Sequence, residues 1–186
     1  MSRRQRPSAP GIAACGCALA FILTGCTFPP TPPPTSTQAT GTGLGLTCDQ
    51  LVPAPVRDGL QPGMKPTASF KPAAGTYPAK IVALGGTACQ WQAPNGIAVD
   101  VTVGKLTPST LATNQAKVAA SSTSTLAFGD KSDVKGYVSN TGGTYSGDME
   151  VFTADGYWVS AQSPLFTSPS NAESVIGAVL QAVPSG

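Results

Sequence analysis

Two cysteines, Cys48 and Cys89, are the only ones in the body of this chain, and their placement constrains its fold more than any other feature. The other three of five lie near the N-terminus: Cys15 and Cys17 inside an apolar run from Gly11 to Leu23, and Cys26 just after it. That run of 13 residues follows Arg3, Arg4 and Arg6. A basic segment with a short apolar core is the pattern of a secretory signal, and the core is too short for a membrane span of about 20 apolar residues. An exported chain meets an oxidising compartment, so Cys48 and Cys89 are expected to form a disulfide. It would close a loop of about 42 residues, worth ~4 kcal/mol in the chain-entropy account. The chain holds 18 prolines and 21 glycines, so it is rich in loops and a staple matters.

The tetrapeptide Leu23-Thr24-Gly25-Cys26 resembles the bacterial lipobox. That resemblance implies a signal peptide over residues 1–25 and a new N-terminus at Cys26, whose thiol carries a diacylglyceryl group with palmitate-type chains. Two acyl chains give lasting membrane attachment, where one is marginal. The Arg3-Arg4 pair also suggests twin-arginine export, but Pro7 and Ser8 stand where that signal wants apolar residues. The expected address is the outer face of a bacterial cell membrane.

Residues 26–46 read as the lipidated cysteine and a Thr/Pro/Gly tether. Its proline block favours extended polyproline II and excludes helix. A bare spacer is the plainer reading of it, an O-glycosylated stalk the alternative. Loss of the signal peptide also removes three arginines, so 11 basic and 9 acidic residues become 8 and 9, a net charge of −1. With no Lys/Arg cluster, nucleic acid is not an expected partner.

Residues 47–186 are expected to form one α+β domain. Its antiparallel sheet of five to six strands would carry two to three packed helices and one disulfide. Cys89–Gln92, the Pro94-Asn95-Gly96 turn and Ile97–Val103 read as a hairpin. Residues 133–139 and 144–153 form a second meander around Thr141-Gly142-Gly143, and Asp155-Gly156 turns the chain into Tyr157–Ser160. Residues 78–84 read as a further strand. Thr107-Pro108 opens a helix running to about Ala120, and Ser170-Asn171-Ala172-Glu173 is a capping box for a C-terminal helix with the stripe Val175, Ile176, Val179, Leu180, Val183. A short helix fits about Asp49 to Leu60, limited by Pro53 and Pro55.

Cys26, Cys48, Cys89 and Trp91, with the tether, give this chain a layout similar to small actinobacterial cell-envelope lipoproteins of unassigned function. It also resembles the LpqN-type lipoproteins of mycobacteria, which carry a PsbP-like α/β/α sandwich. The resemblance implies an envelope-associated binding or accessory role and brings no catalytic motif.

The absence of histidine excludes Ser-His-Asp and Cys-His nucleophile systems and removes the commonest zinc ligand. Ser132-Asp133-Val134-Lys135 matches an S-x-x-K pattern but stands at a strand start, with no Lys-Thr-Gly element to follow. Asp148 and Glu150 share one strand face, and a solvent-facing pair is the expected reading. Asp130 and Asp133 lack the ligand spacing of a calcium loop. No catalytic residue, metal or cofactor is therefore expected.

Aromatic residues are the better lead. Trp91, in phase with Cys89, is expected in the core beside the disulfide. Tyr157 and Trp158 must point to opposite faces; with Tyr157 and Val159 toward the helices, Trp158 faces outward with Phe152. That exposed pair suits a sugar, lipid or apolar partner, unless a helix or loop covers it. Tyr137 and Tyr145 complete the candidate binding set as rim residues. The leading expectation is a membrane-anchored, non-catalytic binding or accessory module, its partner an envelope protein, glycan or lipid. The alternative is an envelope hydrolase using carboxylates or a Ser/Lys pair, and a third reading is a structural part of an envelope complex.

Overall fold

Antiparallel pairing begins at the Pro94-Asn95-Gly96 turn. Gly96 takes φ +84°, and the Ala93 N–H donates to the Ile97 carbonyl at 2.8 Å, closing the hairpin of β2 (Thr87–Gln92) and β3 (Ala98–Lys105). The computed structural model describes residues 43–122, 124–127, 133–141 and 144–184, without the side chains of 124–127, 140, 141, 144 and 145. The expected signal peptide, Cys26, most of the tether, Asp130 and Ser132 lie outside the described residues. Among these, no helix is long and apolar enough to cross a membrane.

The remaining strands are β1 (Lys65–Pro66), β4 (Ser124–Ala127), β5 (Val134–Thr141), β6 (Thr144–Thr153) and β7 (Tyr157–Gln162). All pair antiparallel in the order β1-β2-β3-β7-β6-β5-β4. Five helices accompany them: α1 (Cys48–Leu51), α2 (Ala54–Leu60), α3 (Tyr77–Ala83), α4 (Pro108–Ser121) and α5 (Pro169–Ala182). The α+β class, the antiparallel sheet and the disulfide match the sequence reading. Pro53 divides the expected first helix into α1 and α2.

The segment expected as a strand over 78–84 is instead helix α3, Tyr77–Ala83, with Leu84 as its C-cap. Thr76 Oγ1 accepts from the Ala79 N–H, and Pro78 sits in the first turn, where its missing N–H costs nothing. The α5 cap also moves: the N-cap is Ser168, whose N–H donates to Asn171 Oδ1 at 3.1 Å, so the box at 170–173 is displaced by two residues.

Alternation along the strands makes two cores. On one face Trp91, Val101, Met149, Val151, Tyr157 and Val159 pack against α1, α2 and α5, whose Val175, Ile176 and Val179 are buried. Cys48 opens α1 and bonds to Cys89 of β2 across 5.6 Å between Cα atoms, fastening the helices to the sheet. Trp91 is fully buried there, and the Arg57 guanidinium lies 5.3 Å from its ring centre while pairing with Asp49. On the other face α3 and α4 cover Phe152 and Trp158. Here α3 lies close: a Cβ on Gly104 would stand 2.9 Å from Ile81 Cγ2, so glycine permits the approach.

Candidate ligand cleft on the sheet

Cross-strand register arranges the α3/α4 face in three rows. Gly104, Trp158, Phe152 and Lys135 form the first; Thr102, Ser160, Glu150 and Tyr137 the second; Gln90, Asp100, Gln162 and Asp148 the third. Polarity rises from the first row to the third. The helices cover the apolar end, and beyond the first turn of α3 the polar end borders a cleft of ≈ 290 Å³. Thr76 and Tyr77 form one wall, with Ser139, Asp148, Glu150 and Gln162 facing them.

Trp158 and Phe152 are paired as expected, with ring centres 5.2 Å apart and stacked, but they are not exposed. Trp158 has no accessible surface, and Tyr137 is buried as well. The cause is coverage: Tyr77 of α3 leans on Trp158 at 5.7 Å, and Gln115 of α4 donates to the Tyr137 hydroxyl at 2.8 Å. Of the two alternatives, an open platform and a covered face, the structure has the covered one: the aromatics lie beneath two helices. Tyr145 lies in β6, but its side chain is outside the described residues.

The Asp148/Glu150 pair is not solvent-facing either. Glu150 is only 6% exposed. Its Oε2 accepts from the Trp158 indole N–H at 2.6 Å and its Oε1 is 2.6 Å from the Ser160 hydroxyl. Burial pushes its pKa up to about 8, against the smaller opposing effects of the Ser160 and Trp158 hydrogen bonds. At neutral pH the carboxyl is therefore protonated. Protonation removes the buried charge while the contacts to Trp158 and Ser160 remain.

Asp148 is half-buried, and burial raises its pKa despite hydrogen bonds from Ser146 and Gln162. Asp100 is raised by burial too, with Gln90 Nε2 donating to its Oδ1 at 2.9 Å. Gln162 stands between Asp100 and Asp148 in register. Thr102 Oγ1, buried beside Ser160 in register, has no partner among the described residues.

A second groove of ≈ 310 Å³ runs between α3 and α4, with Lys80 and Lys117 on its walls. No group of three or more metal-ligating side chains occurs among the described residues. Lys135 lies on the Phe152 row, and its partner in the S-x-x-K pattern, Ser132, is outside the described residues.

No family model, curated protein or solved structure matches the chain.

Sequence reasoning found Asp148 and Glu150 as a same-face pair but missed Tyr77 and Gln162. Tyr77 was hidden by reading its segment as a strand, although Thr76-Tyr77-Pro78 carries a helix-start signal. Gln162 becomes visible only once β3, β7 and β6 are set in register.

Proposed function

We propose that this chain is a lipid-anchored, extracytoplasmic binding module of the bacterial envelope that holds a small polar ligand in the cleft between α3 and the third sheet row. The lipobox-like Leu23-Thr24-Gly25-Cys26 supports the anchor, and the layout resembling actinobacterial lipoproteins supports the envelope role. One observation carries the binding reading: a ligand-sized cleft lined by Tyr77, Ser139, Asp148, Glu150 and Gln162. Glu150, on the cleft wall, spends its hydrogen bonds on the buried Trp158 and Ser160. Native mass spectrometry of the full chain extracted from its own membranes tests this. The expected result is a retained small molecule that is lost in Gln162→Ala. A chain that carries no small molecule, or one unaffected by that change, argues against it.

One observation favours a second reading, an envelope glycan hydrolase. A protonated Glu150 lies two residues from Asp148, the pairing of an acid with a base. However, both carboxyls rise from one wall of the cleft, and both Glu150 oxygens are occupied. Turnover of cell-wall glycan by the full chain, abolished in Asp148→Asn, would establish the hydrolase.

A further inference from the structure

We propose that the cleft takes a single ring of a neutral saccharide, stacked on Tyr77 and hydrogen-bonded through its hydroxyls to Asp148, Gln162 and Ser139. The proposal deepens the binding-module reading and rests on it.

Tyr77 is held at both ends. Its ring leans on Trp158 at 5.7 Å, and its hydroxyl lies 3.0 Å from Ser121 Oγ on α4. A side chain fixed in this way loses little further freedom on binding, and it is the aromatic residue among those lining the cleft. A sugar ring offers a matching C–H face, while each hydroxyl on its rim both donates and accepts.

The opposite wall supplies both kinds of partner. Asp148 keeps acceptor capacity beyond its bonds from Ser146 and Gln162, the Gln162 amide keeps one N–H and its oxygen, and Ser139 adds a hydroxyl. An apolar ligand would leave this wall unpaired at a cost. An anion would meet Asp148 with no Lys or Arg among the lining residues. A cation would find one ionised carboxylate at most, because Glu150 keeps its proton near neutrality. The volume, ≈ 290 Å³, is at the small end of ligand cavities and suits one ring rather than an oligomer.

The test uses the full chain in a detergent without a sugar head group. Titration calorimetry and saturation-transfer NMR are run with methyl β-glucopyranoside, N-acetylglucosamine, n-butylammonium and butyrate. The account expects a sugar to bind with Kd of ~1 mM or tighter, with transfer concentrated on one face of its ring. Tyr77→Leu and Gln162→Ala should each weaken it about 10-fold, and Tyr77→Phe should stay within about 3-fold, in proteins with unchanged far-ultraviolet dichroism and cooperative melting. Binding of n-butylammonium or butyrate without any sugar overturns the saccharide class and leaves the cleft as a site. Sugar binding that survives both Tyr77→Leu and Gln162→Ala overturns its location. If no probe binds, the saccharide proposal fails, while the co-purified ligand remains a separate test of the binding module.

Discussion

The indole N–H of Trp158 donates to Glu150 Oε2 at 2.6 Å, where Trp158 has no accessible surface and Glu150 is nearly buried at the edge of the cleft. The two residues are diagonal neighbours on adjacent strands β6 and β7. Their bond lets a large amphipathic ring and a carboxyl share one buried site, because each supplies the partner that burial would otherwise deny the other.

That arrangement makes stability depend on pH. The folded pKa of Glu150, about 8, is above its ordinary value of 4.5. Between these values the fold keeps a proton that the unfolded chain has released, so stability falls as pH rises through the window and levels off above it. The upper bound is about 5 kcal/mol for this group. Asp100 and Asp148, also raised by burial, add to the loss in the same direction. Urea unfolding from pH 5 to pH 9 should show the decline, and Glu150→Gln should flatten most of it. The amide oxygen can accept from Trp158 and its NH2 can donate to Ser160, so the variant should match the parent near pH 5 and exceed it at pH 9.

Ser160→Ala removes the other partner. The buried Glu150 oxygen is then left unpaired, at a cost of ~1–3 kcal/mol measured by the same unfolding series near pH 6. Combining it with Glu150→Gln should give a total far from additive, since the two side chains form one hydrogen-bonded unit.

The close approach of α3 to the sheet is testable through Gly104. Gly104→Ala sets a methyl group 2.9 Å from Ile81 Cγ2 and should cost ~1–3 kcal/mol. In an Ile81→Ala background that clash disappears, so the same change should cost little. Equal costs in both backgrounds would show that α3 does not sit on Gly104 as described.

How much of this was legible in the chain depended on whether the signal was local. Asn95-Gly96 and Thr107-Pro108 each announce a turn or helix start within a few residues, and the structure has both. Cys48 and Cys89 were the only pair left for a disulfide, and they form it. The segment 78–84 failed because a short apolar run reads equally as strand or helix, and periodicity cannot separate them over so few residues. The parity of Trp158 against Tyr157 and Val159 was read correctly, since alternation is local. Whether that face is open or covered was left undecided, because the covering residues, Tyr77 and the α4 helix, lie far away in sequence. Glu150 was misread for the same reason: its burial depends on register with Ser160 and on a helix beginning more than seventy residues earlier.

Removing the staple gives a separate test of the opposite face. Cys48→Ser with Cys89→Ser should lower stability by ~4 kcal/mol and the melting temperature by roughly 10–20 °C. Thermal melts with and without reductant measure it directly, and the double variant should no longer respond to reductant.

The protonation state of Glu150 sets both the charge on the cleft wall beside Asp148 and the pH profile. It can be read directly by carbon NMR of the full chain labelled at the glutamate side-chain carboxyl, with Glu150→Gln identifying its signal against Glu173. The account predicts a protonated carboxyl at pH 7 that titrates near 8. A resonance already ionised at pH 7, with a midpoint near the ordinary 4.5, would contradict it.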